Sequence, residues 1–140
     1  MTRSPESADR SIEVLDEGAC WTALSTADIG RLALLNNGDI DLFPVNFTVR
    51  DRTIYFRSTS GTKMVELTEN PRVTFEADGV DTDGAHWSVV VKGSAARLTF
   101  DDEIEASGVR SLRSLVPADT WNYVRITPDV ITGRRFAAGR

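Results

Sequence analysis

The tetrapeptide Asn36-Asn37-Gly38-Asp39 separates two apolar runs, residues 30–35 and 40–49, and Asn-Gly in that setting is the strongest short-range signal for a β-hairpin. A two-residue turn fixes both the antiparallel sense and the register of its strands, so the middle of this chain is committed to an antiparallel sheet. The polar turn Arg50-Asp51-Arg52 leads into Thr53-Ile-Tyr-Phe-Arg57, a β-branched and aromatic run that extends the meander by a third strand. Residues 72–77 alternate Val73 and Phe75 with polar neighbours, and residues 87–98 form a long valine-rich strand after a Gly/Asp loop at 78–85. Residues 121–136 carry Val124, Ile126, Val130 and Ile131 around Pro128, which predicts a last strand with a bend or bulge.

Helical spacing is confined to three places. Residues 11–27 place Ile12, Leu15, Ala19, Trp21 and Leu24 two to four apart, predicting one or two short amphipathic helices. Residues 62–69 predict a helix of about two turns, ended by Asn70-Pro71 because proline cannot continue it. Residues 101–115 predict a third through Ile104, Val109, Leu112 and Leu115, with Gly108 inside it. At least six strands with few helices, no alternating βαβ units and no G-x-G-x-x-G loop make the fold mainly β, an antiparallel barrel or sandwich with flanking helices, and argue against a dinucleotide-binding domain.

Composition sets the limits on function. With 140 residues, 41% apolar, the chain suits one domain, read as residues 11–140 behind a flexible tail at 1–10 that is too polar to offset the entropy of ordering. One cysteine, Cys20, and one histidine, His86, exclude an internal disulfide and Cys/His metal sites. A net charge of −5 disfavours nucleic acid as a partner. No apolar run nears the ~20 residues that span a bilayer, and the opening has no secretory pattern, so no membrane role and a cytoplasmic location are expected.

The stretch Phe56-Arg57-Ser58-Thr59-Ser60-Gly61-Thr62-Lys63 sets hydroxyls, two cations and a glycine between a strand end and a predicted helix start. Free N–H groups at a helix N-terminus, hydroxyls and a lysine together suit a phosphate monoester. The other reading is a polar loop in which Ser60 or Thr62 caps the helix. It is not a Walker loop, so nucleoside triphosphate hydrolysis has no support. Pro44, within Asp41-Leu-Phe-Pro-Val-Asn-Phe47, supplies no ladder donor and marks an edge or a bulge. An edge there can hydrogen-bond the heteroatoms of a flat ring, with Phe43 or Phe47 to cover its faces; core packing of both rings is the alternative. Cys20 lacks a base or an oxyanion motif and reads as a small buried hydrophobe. The acidic groups at 16–17, 78–83 and 101–103 read as solvated turns and helix starts. Arg125, Arg134, Arg135 and Arg140 read either as a second anion site or as a solvated end.

Gly30-Arg-Leu-Ala33, Phe43-Pro-Val-Asn-Phe47, Ile54-Tyr-Phe-Arg-Ser58, Gly61-Thr-Lys63, Asn70-Pro-Arg-Val73, Trp87-Ser-Val-Val-Val-Lys-Gly93 and Ile131-Thr-Gly-Arg-Arg135 follow one another in an order that resembles the pyridoxamine 5′-phosphate oxidase-like flavin-binding split-barrel family, over nearly the whole chain. The small actinobacterial flavin- or deazaflavin-dependent oxidoreductases are the branch most similar. The resemblance implies a six-stranded antiparallel split barrel that forms a homodimer, with FMN in each of two sites at the subunit interface and a small-molecule substrate. It implies that Thr62 and Lys63 bind the FMN phosphate, helped by Arg57, Ser58, Thr59 and Ser60. Phe43, Pro44, Val45 and Asn46 match the strand whose backbone meets the isoalloxazine edge, and Phe56 and Arg57 match the adjoining strand. Ser88 matches a polar position near the ring or ribityl chain. Trp121 and the Arg134-Arg135 pair correspond, at altered spacing, to a C-terminal Trp and Arg that reach the flavin across the dimer. The Arg-x-His-x-Arg signature of vitamin-oxidising members is missing, so vitamin B6 oxidation is not implied. His86 reads either as a proton donor over the pocket or as a loop histidine. A deazaflavin (coenzyme F-420) reductase, a non-catalytic flavin-binding or storage protein, and a split barrel without its ligand are the rival expectations.

Overall fold

The computed structural model describes residues 12–58, 69–111 and 122–137. Its elements run β1 (Ile12–Leu15), α1 (Glu17–Leu24), β2 (Ile29–Asn36), β3 (Asp39–Arg50), β4 (Thr53–Ser58), β5 (Arg72–Val80), β6 (His86–Arg97), α2 (Asp101–Ser107), a 3₁₀ turn at Val109–Ser111, and β7 (Asn122–Phe136). Every strand pairing is antiparallel. The order β7-β4-β3-β2-β5-β6 closes on itself through β6–β7, giving a ring of six strands, and β1 is a seventh laid against β7.

The turn chemistry acts as the sequence predicts. Asn36 pairs with Asp39, leaving Asn37 (φ 50°) and Gly38 (φ 81°) as a two-residue turn with both central residues left-handed. The β3–β4 turn does the same with Asp51 (φ 50°) and Arg52 (φ 55°). Alternation puts Leu32, Leu34, Val45, Phe47, Ile54, Phe56, Val73, Phe75, Val89, Val91, Val124 and Ile126 in the interior. There Phe47 meets Phe75 edge to face, centroids 4.9 Å apart. Cys20, Trp21 and Leu24 of α1 join this core.

β7 organises the barrel. Along one side it pairs with β6 over almost its whole length. Along the other it meets β4 with residues 122–126 and β1 with residues 133–136, so residues 127–132 have no strand partner there among the described residues. The irregularity expected at Pro128 falls in this gap: Lys92 faces Val130 and Gly93 faces Pro128, leaving Asp129 as the extra residue of a bulge.

Three expectations need correction. Residues 11–27 are not helical throughout, because Ile12–Leu15 is a strand on β7 and the helix is Glu17–Leu24, capped by Asp16, whose Oδ1 accepts from Ala19 N–H at 2.8 Å. The loop at 78–85 is shorter, since β5 continues to Val80 in register with β6. The helix expected over 101–115 ends at Ser107, because Gly108 turns left-handed (φ 76°) and closes it. The helix expected at 62–69 falls almost wholly outside the described residues, as does the tail. No helix among the described residues is long and apolar enough to cross a membrane.

Candidate functional site

Phe43, Pro44, Val45 and Asn46 face Leu32, Arg31, Gly30 and Ile29 of β2, and among the described residues pairing of β3 with β4 begins at Phe47. Strand alternation turns Val45 into the core and Pro44 outward, with Phe43 half-buried against the core, so Val45 offers a ligand only its backbone.

β4 lies beside this stretch. Phe56 is fully buried, so its side chain is closed to any ligand outside the barrel, while Arg57 on the opposite face is half-buried. Ser58, at the barrel end, turns its side chain inward. The Arg57 guanidinium donates to the Arg110 carbonyl at 3.4 Å, tying β4 to the 3₁₀ turn. Around it α2 closes a small second core of Leu98, Ile104 and Val109 over Tyr55 and Tyr123, fastened by the Arg125–Glu103 ion pair and by Arg110 over the Tyr123 ring. Thr59, Ser60, Thr62, Lys63 and Trp121 lie outside the described residues.

Ser88 and Arg134 are brought together, directly opposite on β6 and β7, and Asp78 of β5 flanks Ser88 on its other side. All three point outward. In the six-strand ring β6 is opposite β3 and β7 is opposite β2, so within one subunit Ser88 stands across the barrel from residues 43–46, while Arg134 lies on a strand two places from β3. His86, the first residue of β6, is exposed and faces Phe136.

Arg135 has a different part from Arg134. Its Nε donates to Asp81 at 2.6 Å, and its other nitrogens lie 3.2 Å from Asp83 and 3.6 Å from Glu13, so one guanidinium holds the β5–β6 turn and β1 to β7. The hydrogen bond from Arg135 holds the Asp81 carboxyl below its ordinary range, and the Asp83 and Ala85 N–H groups act in the same direction. Its occupation by three carboxylates removes Arg135 as an anion ligand, which spacing alone did not reveal. Glu76 titrates higher than an ordinary glutamate because of burial and the neighbouring Asp78, an effect that Arg31 opposes. Burial likewise raises the Cys20 thiol, which agrees with a packing role. Among the described residues no cluster of His, Cys, Asp or Glu is placed to hold a metal ion.

The family model for pyridoxamine 5′-phosphate oxidase matches residues 16–135. The chain belongs to that family. A Corynebacterium glutamicum protein provisionally assigned as a pyridoxamine 5′-phosphate oxidase is 37% identical, with a TM-score of 0.81 over 93% of this chain and 96% of the other. An FAD-binding protein from Mycobacterium smegmatis is 33% identical, with a TM-score of 0.74 over 91% of this chain and 100% of the other. An uncharacterised Mycobacterium tuberculosis protein is 34% identical over 91 residues, 65% of this chain and 82% of its own. The split-barrel architecture expected from the motif order is thus the architecture found, with β1 as an addition to it.

Proposed function

We propose that this protein is a flavin-dependent oxidoreductase acting on a small molecule, and that it works as a homodimer binding FMN between subunits. The observation that carries this reading is the family match over residues 16–135, in which residues 43–46 of β3 lie next to the half-buried Arg57 at the end of β4. Main-chain groups of such a strand suit the heteroatoms of an isoalloxazine ring, and a half-buried guanidinium suits a phosphate monoester. The donor set therefore fits a flavin nucleotide. Arg57 would hold the phosphate, with Thr59, Ser60, Thr62 and Lys63 completing the cradle, while Ser58 is turned inward away from it. Val45 and Phe56, locked in the core, would keep the two strands rigid beneath the cofactor. A bound flavin supplies hydride and electron transfer, while the protein supplies orientation and exclusion of water.

The dimer is supported by position. Ser88 lies on β6, opposite β3 in the ring, so it and residues 43–46 meet one flavin only if two copies contribute. The outer face of the β2–β3 hairpin also leaves Ile40 69% and Leu42 67% exposed, with Leu35 across from Ile40, an apolar surface suited to a second copy. Membership of the family and the FAD-binding relative from Mycobacterium smegmatis support a flavin as the ligand.

The test is the absorption spectrum of protein purified without added cofactor, then parallel titrations with FMN, FAD and the deazaflavin. FMN binding in the micromolar range or tighter, roughly −8 kcal/mol, upholds the cofactor assignment. Preference for FAD or the deazaflavin overturns the assignment to FMN, and binding of none of them overturns the flavin reading. Reduction of the bound flavin by a nicotinamide, followed by transfer to an added acceptor, separates an enzyme from a storage protein. Arg57→Ala is expected to weaken FMN binding about tenfold or more, since a hydrogen bond to a charged group contributes about 1.5–3 kcal/mol.

A further inference from the structure

Arg57 stands on the outer face of β4, and what it meets there is the 3₁₀ turn that follows α2. Strand register sets Tyr55 opposite Arg125 and Arg57 opposite Tyr123, so these four residues form the outer floor of β4 and β7. α2 and the turn close over that floor. Leu98, Ile104 and Val109 are buried against Tyr55 and Tyr123, in a cluster separate from the barrel interior. Gly108, left-handed at φ 76°, ends α2, and the turn after it brings the Arg110 carbonyl to 3.4 Å from an Arg57 guanidinium nitrogen.

The turn is itself held from two sides. Below, Val109 is fully buried in the small cluster. Above, the Arg110 side chain pairs with Glu105 and, at 3.3 Å, with Asp101 of α2, and its guanidinium carbon lies 5.8 Å from the centre of the Tyr123 ring. A guanidinium is planar and meets a phosphate through a fork of parallel N–H groups, so the plane in which it is held decides how well the fork fits the anion. Ordering a long side chain on binding lowers affinity, and a side chain already ordered by the fold avoids that loss. We propose that the 3₁₀ turn Val109–Ser111 is the positioning element for Arg57: through the Arg110 carbonyl it fixes the plane of the guanidinium that receives the cofactor phosphate. Val109, buried out of reach of any ligand, thereby helps to set the preference for a phosphorylated flavin. The inference rests on the reading of Arg57 as a phosphate ligand, and it adds to that site a residue 53 positions further along the chain.

The test compares FMN with riboflavin, which has the same ring and ribityl chain without the phosphate. The ratio of their dissociation constants, read from flavin fluorescence on titration of the full chain, separates phosphate recognition from ring binding, and the wild type is expected to favour FMN. Val109→Ala changes no charge and is expected to weaken FMN binding about three- to tenfold while riboflavin binding, which also reports an intact barrel, is unchanged. In an Arg57→Ala background the same substitution has no further effect, because the turn acts through Arg57. Glu105→Ala, at an exposed position, is a second variant. Loss of a negative charge by itself favours an anionic ligand, so the expected weakening of FMN binding, about twofold, has the opposite sign to a charge effect. Equal losses for FMN and riboflavin, an effect of Val109→Ala that persists without Arg57, or tighter FMN binding by Glu105→Ala overturns the positioning role and leaves the flavin reading in place. A wild type that binds FMN no better than riboflavin overturns Arg57 as the phosphate ligand, and one that binds neither overturns the flavin reading; the positioning role falls with each.

Discussion

Asp81 accepts hydrogen bonds from Arg135 and from the N–H groups of Asp83 and Ala85, so its carboxylate ties the β5–β6 turn both to itself and to β7. Its folded pKa is depressed, and its contribution to stability is therefore present above the unfolded value near 3.9 and lost as pH falls through the lower folded value. Asp81→Asn should remove that part of the acid dependence, seen as a flatter plot of urea midpoint against pH below about 4 than for the wild type. A role set by local chemistry was legible at this scale: Asn37-Gly38 in a tight turn follows from the backbone of those residues. Whether a side chain is already engaged was not legible, because the three carboxylates around Arg135 come from two distant segments. The inward direction of Phe56 follows from strand parity, yet it limits a candidate cofactor residue to its backbone.

Among the elements, β1 was hidden because Ile12, Leu15, Ala19, Trp21 and Leu24 recur two to four residues apart, as in a short amphipathic helix, while the alternation of Ile12 and Val14 covers too few residues to stand out. The edge of β7, more than a hundred residues away, recruits this segment as a strand. What lets β1, α1 and β7 converge is Gly133, where an added Cβ would lie 2.6 Å from the Cys20 sulfur and 3.2 Å from both Leu15 and Val89. Gly133→Ala is expected to destabilise the fold by about 1–3 kcal/mol, measured as a lower urea midpoint at unchanged slope. Adding Cys20→Ala to that variant should recover part of the loss, since it removes the atom in closest conflict, and the double-mutant cycle measures how much. The end of α2 and the bulge of β7 were legible in Gly108 and Pro128, although the extent of the helix was overestimated because the apolar spacing continues past the glycine.

For the molecule as a whole, the six strands of the ring and their antiparallel sense came from patterning, but β1 and closure did not. Nothing in the spacing shows that β6 returns to β7 to complete a ring; the order of motifs shared with a known family supplied that. The proposed homodimer predicts that Leu42→Lys, which places a charge in the exposed apolar patch, shifts the protein from dimer to monomer in light scattering and lowers flavin occupancy with it. A monomer that keeps its full flavin would show that one subunit suffices for the site.

Because β7 joins β1, β4 and β6, three segments that precede it in the chain wait for a strand synthesised after all of them. On the ribosome the nascent chain can form its first hairpins as they emerge, but their exposed edges have no closing partner until residues 122–136 are free of the exit tunnel. High contact order and long-lived strand edges slow folding and invite association between nascent chains. Synthesis that stalls shortly before this strand should therefore release a protease-sensitive, aggregation-prone species, whereas a few dozen residues of added C-terminal linker should let the chain close while still tethered.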